Sequence, residues 1–111
     1  MLKNILTSLL LMFVSVEAAY AAQISVDDEN TLNAKHNAER CEPFFTKNGE
    51  EYKAVWARAT VADIKKMMEQ KYNEAMLKAD KDAWSHRTKG QNPKEIIEVC
   101  NQMYENRYYL Y

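Results

Sequence analysis

The chain has 111 residues, 47% of them hydrophobic and 28% charged, with 15 Lys and Arg against 16 Asp and Glu for a formal net charge of −1. That balance excludes a general nucleic-acid binder, which carries an obvious basic footprint, and a polybasic membrane-surface helix. With only two glycines and two prolines, and no alternating strand pattern, the composition favours one small helical domain.

Residues 1–21 read as a cleaved signal peptide. Lys3 gives a short positive start, Ile5 to Val16 is apolar apart from Thr7, Ser8 and Ser15, and Ala19-Tyr20-Ala21 has the small-x-small form of a peptidase site. The apolar run is short for a membrane span, and no cysteine follows it closely enough for a lipid anchor. The expectation is export to a periplasm or beyond, no stable membrane anchor, and a mature domain over residues 22–111. Processing removes Lys3 and Glu17, one charge of each sign, so the net charge stays at −1. Once the carboxylates protonate, near their usual pKa of about 4, the chain becomes a strongly self-repelling cation.

Ala22 to Glu29 is polar, with Ser25 and Asp27 as candidate helix caps. A weakly amphipathic helix is predicted from about Asp28 to Arg40, interrupted by Pro43. Thr46-Lys47-Asn48-Gly49 is a turn signal, and from Glu50 a second helix carries Tyr52, Val55, Trp56 and Ala59 at helical spacing. Thr60-Val61-Ala62-Asp63 has capping-box form and marks either a third helix start or a bend. Ile64, Met68, Tyr72, Ala75, Met76 and Ala79 then form one apolar stripe with a period near 3.6, which Trp84 extends past Asp80-Lys81-Asp82. Gly90 is a terminator. Asn92-Pro93-Lys94-Glu95 supplies a cap, a proline at the first helical position and an acid at the third. The helix it starts is predicted to bury Ile96, Val99, Cys100 and Met103, with Tyr104 and Arg107 at the margin.

The fold expected is all-α: a small single-domain bundle of three to five helices with one disulfide. Cys41 and Cys100 are the only cysteines, and an even count in a small exported chain reads as a bridge. Cys100 lies on an apolar helix face, so its partner must come from the core, and Cys41 beside Phe44 and Phe45 meets that demand. Closing a loop of about 60 residues contributes roughly 4 kcal/mol in the loop-entropy picture.

Residues that could carry chemistry are few. His36 and Glu39 could place two ligands on one side of a helix, but metal sites need three or four donors and His86 is the only other histidine. Both are therefore expected on a solvated helix face. Haem is not expected either: Met1 and Met12 leave with the signal, no Cys-x-x-Cys-His occurs, and the other methionines fit the core stripe. Ser85 and His86 are sequence neighbours, which do not face each other on a helix. Glu50-Glu51 fits a charged first turn, and no Gly-rich phosphate loop is present. The chain is expected to be no enzyme and to hold no cofactor or metal.

Binding by surface remains. The run Tyr104, Tyr108, Tyr109, Leu110, Tyr111 is unusually aromatic for a chain end, and either docks on the bundle or meets a partner. Trp56 and Trp84 are expected in the core.

Three short stretches resemble a known family. Cys41-Glu42-Pro43-Phe44-Phe45, Ala54-Val55-Trp56 and Pro93-Lys94-Glu95-Ile96-Ile97-Glu98-Val99-Cys100 are similar to the small periplasmic acid-stress chaperones of the HdeA and HdeB type. The segment between the cysteines is longer here than in that family, chiefly from Lys65 to Lys89, and Pro93 stands one residue further from its cysteine. The resemblance implies a helical homodimer that loosens in acid, exposes apolar faces and holds unfolded clients, with the disulfide keeping the loosened chain compact. The client surface it implies is Phe44, Phe45, Val55, Trp56 and the tail Tyr108, Tyr109, Leu110 and Tyr111. Two readings of other classes also suit a small stapled helical domain. One is an exported immunity or inhibitor protein that docks on one toxin or hydrolase through a rigid surface. The other is a component of an envelope assembly.

Overall fold

The structure is a computed structural model that describes residues 23–107. The expected signal peptide, 1–21, and the tail Tyr108, Tyr109, Leu110 and Tyr111 lie outside the described residues. Among those described there are four helices: α1 (Val26–Lys47), α2 (Glu51–Glu69), α3 (Glu74–Arg87) and α4 (Pro93–Glu105). The all-α architecture stands as expected.

Ser25 caps α1, its side chain accepting from the Asp28 amide at 3.2 Å, and Asp27, Asp28 and Glu29 place negative charge at the positive end of the helix. The expected break at Pro43 does not occur. α1 runs through Pro43 to Lys47, with the exposed proline ring lying between the fully buried Cys41 and Phe45. Packing on both sides holds the helix across a position that has no amide proton to donate. Pro43→Ala is therefore expected to stabilise the chain by about 1–2 kcal/mol, less than the full helix-interior proline cost because the unfolded chain also gains freedom. Urea unfolding checks this, and a destabilised variant contradicts it.

The expected turn forms after Lys47. The Asn48 amide and side chain both donate to the Phe44 carbonyl, at 3.1 and 2.8 Å, and Gly49 takes a positive φ of 75°. α2 then continues unbroken past Thr60, whose side chain is buried, so Thr60-Val61-Ala62-Asp63 starts no helix.

The stripe predicted from Ile64 to Ala79 is two helices in different phase. α2 ends at Glu69, and Asn73 starts α3 by accepting from the Met76 amide at 2.8 Å. The turn is fixed from α1: the Tyr72 hydroxyl donates to Asp28 at 2.5 Å and accepts from the Ser25 amide at 3.2 Å, and Lys71 pairs with Asp28 at 3.2 Å. Ala75 and Ala79 consequently face solvent, and the inward side of α3 is Leu77, Asp80, Lys81 and Trp84. α4 begins as predicted, with Asn92 accepting from the Glu95 amide at 2.9 Å, and buries Cys100 and Met103.

α1 is the hub on which the other three helices pack. α2 returns antiparallel along it and divides the core into two apolar clusters. Near the turn, Ala38, Cys41, Phe45, Ala54 and Ala57 pack with Cys100 and Met103 of α4. At the far end, Leu32 and Ala34 pack with Ile64 and Met68. Between Ala34 and Ala38 on α1 stands His36, and between Ala57 and Ile64 on α2 stands Thr60, both buried. The two apolar clusters are thus separated by polar side chains.

Candidate functional site

The polar layer is where α3 meets α1. His36 is 1% exposed and Asp80 8% exposed, and the His36 Nε2 to Asp80 Oδ2 distance is 2.8 Å. A carboxylate oxygen accepts, so Nε2 carries the proton and Nδ1, which has no partner among the described residues, is left as an acceptor. Trp84, one turn after Asp80, is buried between two cations. The Arg40 guanidinium lies 5.1 Å from its ring centroid and the Lys81 ammonium 4.9 Å, while the His36 ring is 5.3 Å away. Arg40 also donates to Gln91 at 2.7 Å and Asn37 at 2.9 Å, tying the connection between α3 and α4 to α1. His36, Asp80, Trp84, Arg40 and Lys81 together latch α3 onto the hub.

The electrostatics of this latch are set by burial. Desolvation, with the ammonium groups of Lys81 and Lys35, holds the His36 imidazole below its ordinary range and outweighs the upward pull of Asp80. For Glu39 the balance runs the other way. Burial pushes its carboxyl up, but Lys35 at 2.6 Å and Lys81 at 3.4 Å more than compensate and leave it low. Asp28 is also held low, chiefly by the Tyr72 hydroxyl, against burial and with help from Lys71 and Ser25.

All three shifts act in the same direction on stability. A group whose folded pKa is depressed binds fewer protons in the native state, so its contribution is complete above the unfolded pKa and is lost as pH falls through the folded one. His36 begins to act below about pH 6.5, and the two carboxylates below about pH 4. The urea midpoint is therefore expected to decline in two stages as pH falls from 7 to 3, in the windows those reference values set. A midpoint that stays flat until the carboxylates titrate would contradict the assignment to His36.

The expectation that His36 and Glu39 lie on a solvated face is overturned, because α3 covers that side of α1. His36 is core and Glu39 is half-buried between two lysines. No local signal marks Asp80 as buried, because it stands in the charged triplet Asp80-Lys81-Asp82. Its spacing from Leu77 and Trp84, three back and four on, is the signal that places it on the inward face. No group of three or more His, Cys, Asp or Glu that could hold a metal occurs among the described residues. Ser85 and His86 are both exposed.

The predicted binding residues fall on the opposite end of the hairpin. Cys41 and Cys100 are bridged and fully buried. Phe45 is sealed in the core, Phe44 and Trp56 are half-buried, and Val55 is 50% exposed. Tyr104 of α4 centres an aromatic face across α2 and α4, edge-on to Trp56 at 5.3 Å and to Tyr52 at 6.1 Å. The Lys53 ammonium, held by Glu50, lies 5.2 Å from the Tyr104 ring on this face, and the Arg107 guanidinium 4.3 Å from it. No helix among the described residues is long and apolar enough to cross a membrane. No family model, curated protein or solved structure matches the chain.

Proposed function

We propose that this protein is an exported, non-enzymatic, acid-activated chaperone that holds unfolded proteins on apolar surface released from its own core. The observation that carries the reading is the buried His36–Asp80 pair between two apolar clusters. A sealed neutral imidazole must acquire charge as pH falls, and the helix that covers it is short and latched by a few polar contacts. Opening there uncovers Leu32, Ile64, Met68 and Trp84. Further loosening frees Phe44, Phe45 and Trp56, while the disulfide keeps α1 and α4 together for refolding. The resemblance to periplasmic acid-stress chaperones agrees with this reading, including a homodimer at neutral pH.

The test is to add the purified protein to a client that aggregates in acid, following client light scattering and the protein's own size at neutral and acid pH. The reading expects suppression of scattering only after acidification, together with dissociation. A domain that stays folded and inactive in strong acid sinks it. Tight one-to-one binding to a single envelope protein at neutral pH would instead favour the inhibitor reading.

A further inference from the structure

A groove of about 350 Å³ lies between α1 and α4, whose bridge from Cys41 to Cys100 holds its two walls together. Its rim is made of side-chain amides: Asn30, Asn33 and Asn37 along one face of α1, and Gln102 and Asn106 one turn apart on α4. Ala34 and Met103 close the bottom and are themselves buried, so a ligand meets the amides and the half-buried Val99. Among the described residues no charged group and no aromatic ring lines this groove. Asparagine is a poor helix former, so three of them on one face of α1 do little for the helix itself.

These amides are oriented and only partly used. Asn37 accepts from Arg40 at 2.9 Å and Asn33 from Arg87 at 3.4 Å, both through Oδ1, which leaves their Nδ2 groups to donate. Asn106 is turned the other way: its Nδ2 donates to the Gln102 carbonyl at 2.9 Å, which leaves Oδ1 to accept. The side chains of Asn30 and Gln102 form no hydrogen bond among the described residues. Donors on one wall and an acceptor on the other match a polypeptide backbone, which offers C=O and N–H groups and no charge. The row from Asn30 to Asn37 is about 10 Å long at a helical rise of about 1.5 Å per residue, the length of about three extended residues. A saccharide suits the groove less, because no aromatic ring is there to stack on its apolar face.

We propose that this groove binds an extended, uncharged stretch of polypeptide through its backbone, with Asn33 and Asn37 donating to peptide carbonyls and Asn106 accepting from a peptide N–H. The site deepens the chaperone reading by naming the part of a client it takes, and rests on that reading only for the source of the peptide. Contacts to backbone rather than to side chains are indifferent to sequence, as unfolded clients require. No titratable group lines the groove, so its affinity holds from neutral to acid pH for as long as the disulfide cluster stays folded. Each contact replaces one with water, so binding over so short a stretch is weak.

The experiment titrates acetyl-trialanine N-methylamide into the isotopically labelled full chain at neutral pH. The acid-activation reading expects no client holding there, so the two readings fail separately. The peptide is expected to bind with a Kd of about a few millimolar and to shift the side-chain amide signals of Asn30, Asn33, Asn37 and Asn106. An analogue whose peptide N–H groups are replaced by ester oxygens is expected to bind about fivefold more weakly. Asn33→Asp keeps an acceptor for Arg87 and puts a carboxylate oxygen in place of the donor, and is expected to lose about fivefold for the peptide. The proposal is overturned if these amide signals do not move, if the ester analogue binds as well as the peptide, or if Asn33→Asp changes nothing. Tighter binding of maltose than of the peptide overturns it as well.

Discussion

Removing the bridge by Cys41→Ala with Cys100→Ala is expected to destabilise the chain by about 4 kcal/mol, a large share of the 5–15 kcal/mol typical of a small domain. The two half-cystines are 59 residues apart in sequence, with Cα atoms 5.5 Å apart, and both are fully buried. Their bond ties α1 to α4, whose other deeply buried residue is Met103. Without it, α4 keeps Ile96 and Tyr104 half-buried against the cluster but loses its covalent anchor, so fraying is expected to start there. Urea unfolding of the oxidised protein, the reduced protein and the double variant measures the effect. A loss below about 1 kcal/mol would show that the chain-entropy account fails for this bridge.

His36→Ala is the second large effect, expected to cost about 3–5 kcal/mol. It opens a cavity between the two apolar clusters and leaves the Asp80 carboxylate buried without its donor. Asp80→Asn is milder, at about 1–2 kcal/mol, because an amide can still accept from Nε2–H and no charge is stranded. The order of the two variants matters more than either value. An Asp80→Asn variant less stable than His36→Ala would mean that the pair works through a charged imidazole rather than a neutral one. Denaturant unfolding at neutral pH separates the two cases.

Local chemistry made much of this fold readable. Asn92-Pro93-Lys94-Glu95 is a cap written in four residues, and the helix starts there. Gly49 ends the first helix by adopting a backbone angle that other residues avoid. Where the fold departs from the local signals, packing outranks them. Pro43 breaks isolated helices, but Cys41 and Phe45 are both buried around it, and tertiary contacts carried α1 across. The stripe from Ile64 to Ala79 looked continuous because apolar periodicity does not register a cap such as Asn73. The buried pair was the hardest feature to see. His36 and Asp80 lie 44 residues apart, and each looked like an ordinary surface residue until α3 was folded onto α1.

The same layer explains why acid should act locally before it acts globally. Charging His36 places a buried cation beside Lys81 and Lys35 and a second N–H at Nδ1 with no acceptor among the described residues, which loosens the packing of α3, while the buried residues of the cluster around Cys41 and Cys100 include no ionisable side chain. Residue-by-residue amide hydrogen exchange, measured from neutral to mildly acidic pH and corrected for intrinsic rates, tests this most directly. The account predicts that protection falls first in Glu74–Arg87 and around Leu32, His36, Ile64 and Met68, with amides near Cys41 and Cys100 still protected. Protection lost uniformly along the chain, or first around the disulfide, would contradict it.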